Sequence, residues 1–268
     1  MGSKDNIVPG SNQLLPKAYD DVVHPSAEVV GEIISYIPRT IRLGLGKWQK
    51  WLVNGEESLN RTFEALRDKA DKIPEERQCE PEPNIVVPAV SQISYCYDSD
   101  VLREMYANLL ATSMDELEKS HVHPSFVGII QQLTPDEAKL LKVLPQDTVT
   151  LVPVIDLRRV DESADGFTTV FRNLCLLGEG VCEHPENGPA YLENLARLKL
   201  IEIPEDMHLT DDSRYAPLMN TQIVNVYRQN CGPNSRIVFH KKVLYLSNYG
   251  LEFVRCCIDE YDPNKYSI

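Results

Sequence analysis

The feature that most limits the fold of this chain is a row of apolar residues spaced four and three positions apart in its first quarter. Residues with this spacing share one face of an α-helix, so the pattern predicts helix over much of 26–73. Pro38, the Gly44 and Gly46 pair and Gly55 interrupt it, because proline removes a backbone hydrogen bond and glycine adds disorder. We therefore expect two or three helical pieces. The row consists of Val30, Ile34, Ile37, Ile41, Leu45, Trp48, Leu52, Leu59, Phe63, Leu66, Ala70 and Ile73.

Helix start signals follow further along the chain. Four prolines in an acidic stretch at 74–88 predict an irregular crossing, and a short helix is expected over about 85–96. The run at 98–100 supplies an N-cap. Thr134-Pro135-Asp136-Glu137 is a capping box with proline at the first helical position, and it predicts a helix that ends at Pro145.

The pattern changes after Pro145. Segments rich in Val, Leu, Thr and Tyr predict strands at 148–154 and 241–246. A helix over about 189–198 runs into a strand at 200–203, and Ser247 is expected to cap a last helix. The remaining segments are predicted as a polar loop at 161–166, a mixed segment at 167–177, a loop at 178–189 and a long loop at 204–240.

A helix that passes directly into Leu-Lys-Leu-Ile-Glu-Ile is typical of the step from recognition helix to wing in winged-helix domains. The predicted class is therefore α+β and predominantly α. We divide the chain into a flexible arm at 1–20, a helical domain at 21–133 with its proline-rich crossing at 74–88, and a winged-helix-like domain at 134–268.

Composition excludes several classes of protein. The net charge is -13 and the acidity is spread over both halves, which disfavours a surface that neutralises nucleic-acid phosphates. The N-terminus has no apolar core of a secretory signal, and no stretch is apolar enough for a spanning helix. Seven cysteines without a CxxC pair favour a reduced compartment, so we expect a cytoplasmic protein.

Motifs for catalysis or cofactor binding are missing from the sequence. The clusters His121-Val122-His123 and Cys182-Glu183-His184 resemble metal ligands, but zinc needs about four converging groups, and both lie in predicted loops. There is no GxSxG elbow, and Gly178-Glu179-Gly180 lacks the third glycine of a dinucleotide fingerprint. We therefore predict no cofactor, no metal and no catalytic residue, although an enzyme without a recognisable motif stays an alternative.

The winged-helix pattern also raises the alternative of a DNA-binding regulator. The candidate recognition helix offers Asn187, Asn194, Arg197 and Lys199, but it carries Glu193 as well, and acidic loops flank it. A major-groove reader normally surrounds its helix with several phosphate-contacting cations. We expect this domain to contact protein rather than nucleic acid.

The most distinctive charge pattern lies in the first helical segment. Residues 33–55 contain no acid, whereas the chain as a whole is strongly acidic. A basic amphipathic helix with Trp can lie in an anionic membrane interface, and it can equally face acidic partners in a protein. We predict a membrane or partner contact at this segment, with an association at the inner membrane as one outcome. The residues concerned are Arg39, Arg42, Lys47, Trp48, Lys50 and Trp51.

Several segments together resemble the abortive infection alpha (Abi-alpha) family of bacterial proteins. The likeness covers about 19–258, and its motifs are helix starts and packing patterns rather than catalytic signatures. Lys199 departs from it, since glycine is expected after this helix. The segments are Tyr19–Gly31 (YDDVVHPSAEVVG), Glu82–Pro88 (EPNIVVP), Leu102–Ala111 (LREMYANLLA), His123–Phe126 (HPSF), Leu133–Ala138 (LTPDEA) and Tyr191–Leu198 (YLENLARL).

The resemblance implies a role in bacterial defence against phage. We expect a non-enzymatic abortive-infection protein that acts through membrane or protein contacts. A homo-oligomer is also expected, because the apolar row from Val30 to Ile73 is long for half of one chain to cover, and its spacing favours helix pairing.

Overall fold

The computed structural model describes residues 49–265 apart from 94, 97–98, 148–149 and 162–164. The predicted arm at 1–20, the apolar row before residue 49 and the break at Pro38 and Gly44 lie outside these residues. Five α-helices occupy the first half of the described chain. They are α1 (Gln49–Ala70), α2 (Pro83–Ile93), α3 (Asp100–Ser113), α4 (Ser125–Gln131) and α5 (Pro135–Val143).

Two helix starts confirm the predicted caps. The Ser99 side chain accepts a hydrogen bond from the Leu102 backbone N–H at 3.3 Å and begins α3. At the start of α5, Thr134 Oγ1 accepts from the Glu137 backbone N–H at 3.2 Å, while Glu137 Oε2 accepts from the Thr134 N–H at 2.6 Å. Each cap satisfies N–H groups that have no partner inside the helix.

Two predictions about helix breaks were wrong. Gly55 lies inside α1 and does not interrupt it. The crossing ends earlier than expected, because α2 already begins at Pro83 and contains Pro88. Pro83 fits the first turn of α2 without loss of a hydrogen bond, since the N–H that proline lacks has no partner at that position. Tertiary packing then holds the rest of α2, whose inward face consists of Ile85, Val86, Ala89, Val90 and Ile93.

The second half carries one curled antiparallel sheet, so the fold is α+β. Its strands are β1 (Val152–Asp161), β2 (Phe167–Leu174), β3 (Ile201–Glu202) and β4 (Ser235–Leu246), in the order β2-β1-β4-β3. Strand β1 runs seven residues past the predicted end at 154. The predicted mixed segment at 167–177 contains β2, which pairs antiparallel with β1.

The prediction of a long loop at 204–240 was also wrong. It contains a 3-10 helix (Asp212–Tyr215), α7 (Ala216–Met219), α8 (Gln222–Gln229) and the first part of β4. The three helices cover one face of the sheet, where Tyr215, Leu218 and Val224 pack against Ile155 and Leu157. The helices are short, and only contact with the sheet gives them enough apolar burial to be stable.

The predicted helix at 189–198 is confirmed as α6 (Gly188–Arg197), which passes into β3. Lys199, in the turn between them, has φ 62, the left-handed conformation that glycine adopts most easily. Ser247 caps α9 (Asn248–Phe253), as predicted, and donates to the Lys199 carbonyl at 2.5 Å. Gly250 approaches Leu200 so closely that an added Cβ would lie 1.9 Å from its carbonyl oxygen. The winged-helix assignment itself stays a prediction.

One apolar core joins buried residues from both predicted domains. Leu59 of α1, Leu109 of α3, Leu140 of α5, Leu195 of α6 and Phe253 of α9 all belong to it. The described end of the apolar row therefore packs within its own chain, with α3 as the main neighbour of α1. The boundary at 133–134 stays a prediction.

Candidate functional site

Charged side chains collect on the face of the sheet opposite Tyr215 and Leu218. Strands β1 and β4 pair with Asp156 opposite His240 and Val154 opposite Lys242. Because side chains alternate between the two faces of a strand, Asp156, His240 and Lys242 share one face with Arg158. Their neighbours Ile155 and Leu157 point to the apolar side. We call the group Asp156, Arg158, Glu205, His240 and Lys242 the charged cluster.

The centre of the charged cluster is a buried ion pair. Lys242 Nζ lies 2.9 Å from Asp156 Oδ1, and the two side chains are 2% and 1% exposed. Asn173 completes the pair, since its backbone N–H donates to Asp156 Oδ1 at 2.8 Å and its Oδ1 accepts from Lys242 Nζ at 2.8 Å. With φ 54, Asn173 takes a left-handed conformation that asparagine tolerates. These contacts offset the cost of removing both charges from water.

Two opposed effects set the pKa of Asp156. Burial raises this pKa, whereas the hydrogen bonds from the Asn173 N–H and from Lys242 lower it, and the positive charge of Lys242 lowers it further. The lowering effects win, so the pKa lies below its usual value. Asp156 is therefore an anion at neutral pH.

The outer part of the charged cluster opens towards solvent. His240 Nδ1 lies 3.7 Å from Asp156 Oδ2 and 3.5 Å from Glu205 Oε2. One ligating atom of each residue lies within 4.8 Å of the others. The Glu205 side chain is 63% exposed, and it reaches the sheet from the segment that follows β3.

Arg158 closes this outer part. Its Nη2 lies 2.6 Å from His240 Nδ1, and because a guanidinium can only donate, Nδ1 must accept and the ring proton of neutral His240 lies on Nε2. The Arg158 guanidinium also stacks on Phe167, with Cζ 4.2 Å from the ring centroid. Its Nε is buried and has no hydrogen-bond partner in the described part of the chain.

Tyr215 anchors the segment that carries Glu205. The phenol is fully buried, donates to the Lys242 carbonyl at 3.0 Å and accepts from the Leu209 N–H at 2.9 Å. Lys241, on the face of the sheet that Tyr215 covers, pairs with Asp212 at 2.7 Å.

In the charged cluster, the two carboxylates of Asp156 and Glu205 and the imidazole of His240 can hold a cation or move a proton. The charged cluster contains no hydroxyl or thiol nucleophile.

A second feature is an apolar cavity of about 240 Å³ between the end of β2, α6 and α8. Leu174, Leu177, Leu192 and Ile223 are among its lining residues, together with Cys175. Burial raises the pKa of Cys175 to about 11. The thiol is therefore protonated at neutral pH and a poor nucleophile.

The predicted contact residues are only partly covered by the structure. Arg39, Arg42, Lys47 and Trp48 lie outside the described residues. The backbone at Lys50 and Trp51 belongs to α1, but their side chains lie outside the described part as well. The predicted contact at this segment thus stays a prediction.

The histidines weighed as metal ligands in the sequence do not converge. His121 Nδ1 lies 2.8 Å from Glu252, and His123 Nδ1 lies 2.6 Å from Ser125. His184 donates its backbone N–H to Asp136 at 2.9 Å. None of them joins the group of Asp156, Glu205 and His240, the one set with metal-ligand spacing among residues 49–265 that the structure describes.

Two polar side chains of α6 have hydrogen-bond partners within the chain. Asn194 donates to the Gln132 carbonyl at 3.1 Å and to Glu137 Oε1 at 2.8 Å. Arg197 donates to Asn194 and to Gln132 Oε1. A base-reading helix would need these groups free for the groove.

Sequence reasoning missed the charged cluster. Asp156 follows Val154 and Ile155 in an apolar run, and His240 and Lys242 lie two residues apart, which is the spacing of one strand face. A charge inside a strand was the available signal. Only the pairing of β1 with β4 brings the two segments together.

None of the helices that the structure describes is long and apolar enough to cross a membrane. The model of the family named "Abortive infection alpha" matches residues 54–257, which is most of the chain. The chain belongs to the abortive infection alpha family. The family match includes all of the charged cluster and all of α6. No curated protein and no solved structure matches the chain significantly.

Proposed function

We propose that this protein acts in abortive infection, as a non-enzymatic component of bacterial defence against phage. The observation that carries this proposal is the abortive infection alpha match over residues 54–257. The protein acts through membrane or protein contacts, and we place the contact at the basic segment with Arg39, Arg42, Lys47 and Lys50. Its site of action is the cytoplasm or the inner face of the membrane.

The contacts of α6 favour this function over a DNA-binding regulator. Asn194 and Arg197 are held by Gln132 and Glu137, so the two side chains best suited to read bases have partners within the chain. The net charge of -13 also opposes binding to a polyanion. The regulator remains the second candidate, supported by the passage from α6 into β3.

A phage challenge tests the defence role. The protein is expressed in a bacterial host, and plaque formation and survival are compared with a strain that lacks it. Protected cultures in which infected cells die without releasing phage support abortive infection. Unchanged plaque formation across a broad phage panel would contradict the proposal.

A charge-removal variant tests the location of the contact. Replacing Arg39, Arg42, Lys47 and Lys50 by Gln should abolish protection and weaken binding to anionic liposomes, since each cation near an anionic surface contributes about 1 kcal/mol. The matched control removes four exposed cations elsewhere, at Lys142, Arg172, Lys199 and Arg236, and should keep protection. If protection is lost but liposome binding is absent from the start, the partner is a protein.

Self-association belongs to the same proposal. The described end of the apolar row packs inside its own chain, so the surface for a second copy falls on the part before residue 49. Light scattering at micromolar concentration should give a mass above that of one 30.4 kDa chain. A variant that lacks residues 1–48 should then scatter as a monomer.

A further inference from the structure

We propose that Asp156, Glu205 and His240 form a binding site for a divalent transition-metal ion, with Zn²⁺ as the ion that this donor set fits best. The sequence alone predicts no metal, so the inference departs from that expectation. It goes beyond the abortive-infection proposal and does not depend on it. Imidazole with two carboxylates is a set that zinc and its neighbours accept.

The spacing of the three donors carries the inference. Zinc binds nitrogen and oxygen at about 2.0–2.2 Å in a tetrahedron, which sets neighbouring donors roughly 3.4 Å apart. His240 Nδ1 lies 3.5 Å from Glu205 Oε2 and 3.7 Å from Asp156 Oδ2. Two of the three donor pairs are thus near this spacing, and the third, Asp156 with Glu205, lies within 4.8 Å, so side-chain shifts can place all three donors on one ion. The fourth position is left for water or another small ligand.

The two oxygens of each carboxylate are used differently. Lys242 Nζ contacts Asp156 Oδ1 at 2.9 Å and Glu205 Oε1 at 3.4 Å, and the Asn173 N–H binds the same Asp156 oxygen. The other oxygens, Oδ2 of Asp156 and Oε2 of Glu205, are the ones that face His240 Nδ1. Lys242 and Asn173 thus orient the ligands from behind, as partners of metal ligands do.

Arg158 lies beside two of the proposed ligands. Its guanidinium donates to His240 Nδ1, the atom that would bind the metal, and lies 4.0 Å from Glu205 Oε2. Its side chain is 22% exposed, and its Nε has no partner in the described chain, so the position leaves one buried donor unsatisfied. Metal binding requires Arg158 to move towards solvent, and it exchanges one positive group for another.

A bound ion would link the segment after β3 to the sheet through Glu205. Glu205 is the outermost ligand and belongs to the segment that Tyr215 already anchors to β4. An ion that binds the folded state and not the unfolded chain stabilises the folded state by RT ln(1 + c/Kd), where c is the free zinc concentration. The melting temperature should therefore rise by several degrees at saturating zinc.

Metal titration of the full chain tests the site. Calorimetry with Zn²⁺ and absorbance with Co²⁺ should show one ion per chain. The Co²⁺ spectrum should have the visible bands of a nitrogen and oxygen site, without thiolate charge transfer, which separates it from binding to the cysteines. Glu205→Gln should weaken binding at least about tenfold, because loss of even a hydrogen-bond partner of a metal ligand typically costs about 10–100-fold.

Variants decide the outcome. Glu205 is exposed, so Glu205→Gln leaves the fold intact. His240→Gln removes a second ligand and should also weaken binding. Circular dichroism checks that both variants are folded. Glu202→Gln, an exposed acid nearby that contacts Tyr245, is the matched control and should bind as the wild type does. Arg158→Gln should bind more tightly, because the competing cation is gone. An absence of bound metal, a thiolate band, or equal affinity in wild type and Glu205→Gln would overturn the proposal.

Discussion

Two aspartates, Asp115 in the helical half and Asp156 in the sheet, are both almost completely buried and both paired with a cation. They differ in how their oxygens are used. Both oxygens of Asp115 are saturated, whereas Asp156 keeps Oδ2 facing the open side of the charged cluster. A buried ion pair is therefore by itself no sign of a site, and the Asp156 oxygen that faces His240 is the informative feature.

Asp115 joins three distant parts of the chain. Its Oδ1 accepts from Arg77 Nε at 2.9 Å and from the Leu117 N–H at 3.1 Å, and its Oδ2 accepts from Arg77 Nη2 and from the Tyr261 hydroxyl at 2.5 Å. Arg77 also donates to the Pro263 carbonyl at 3.0 Å. Burial raises the pKa of Asp115, but these hydrogen bonds outweigh it and lower the pKa. The group fixes the C-terminal segment to the helices.

The largest expected effect comes from removing Asp115. Asp115→Ala leaves Arg77 and the Tyr261 hydroxyl without their acceptor, and breaking a buried pair costs about 3–5 kcal/mol. Urea unfolding of the purified protein measures the loss. The neighbouring Glu116→Ala removes an exposed pair with Lys119 and should lower the free energy of unfolding far less than Asp115→Ala does. Equal losses in the two variants would refute the structural role of Asp115.

The second prediction concerns the pair in the sheet. Lys242→Met leaves the Asp156 charge uncompensated and should cost about 3 kcal/mol or slightly more. Adding Asp156→Asn removes that charge and keeps an acceptor for the Asn173 N–H, so the double variant should lie within roughly 1 kcal/mol of the wild type.

The neighbouring position provides the control for this cycle. Lys241→Met breaks a pair with the exposed Asp212 and should cost at most about 1 kcal/mol. The same double replacement, Asp115→Asn with Arg77→Met, should recover less stability, because the one oxygen of asparagine cannot replace both carboxylate oxygens that accept from Leu117 and Tyr261. A double variant at Asp156 and Lys242 that is as unstable as Lys242→Met would remove the contrast between the two acids.

Asp136 is a third buried acid for this comparison, and two backbone N–H groups donate to its carboxylate. Burial raises its pKa, but the N–H groups of Glu183 and His184, with Lys139, outweigh this and hold the pKa at about 2 against a usual 3.8. As the pH falls, the unfolded chain takes up the proton first. The contribution of Asp136 to the free energy of unfolding is therefore fully present above about pH 4 and is lost as the pH falls towards about 2.

The measurement for Asp136 is urea unfolding as a function of pH. Asp136→Asn should lower stability at neutral pH by about 1–2 kcal/mol and flatten the fall between about pH 4 and 2. Glu193→Gln, an exposed acid on α6, should keep the wild-type slope. A wild-type slope in Asp136→Asn would assign the acid sensitivity to other groups.

The smallest expected change in stability comes from Lys199, which is not one of the buried acids. Lys199 has φ 62, and Lys199→Gly relieves a left-handed conformation that costs a residue with a Cβ roughly 1 kcal/mol. The variant should gain up to about 1 kcal/mol, since glycine also loses more entropy on folding. Thermal unfolding with Lys142→Gly as a control inside α5 should show a loss there instead.

The sequence was most reliable where the signal is local. The caps at Ser99, Thr134 and Ser247 use hydrogen bonds within three residues, and all three were predicted and confirmed. The family resemblance led us to expect glycine at 199, and the structure shows that Lys199 adopts the left-handed conformation there. Family membership was also available from sequence, because it rests on linear segments.

Failures occurred where packing overrides local preference. Gly55 costs helix stability by itself, yet α1 continues through it. The helices at 212–229 are too short to be stable alone, and they form because Tyr215, Leu218 and Val224 cover the apolar face of the sheet.

By itself the sequence determined the helix boundaries set by caps, the α+β class, the acidic balance and the family. Only the tertiary structure decided which charges meet. Asp156 and His240 are far apart in the chain and become neighbours through the register of β1 on β4, while Glu205 reaches them from a segment with no pattern of its own. Long-range pairing depends on the burial of whole strands and not on any motif in either one, which is why a site built across it is absent from a linear reading.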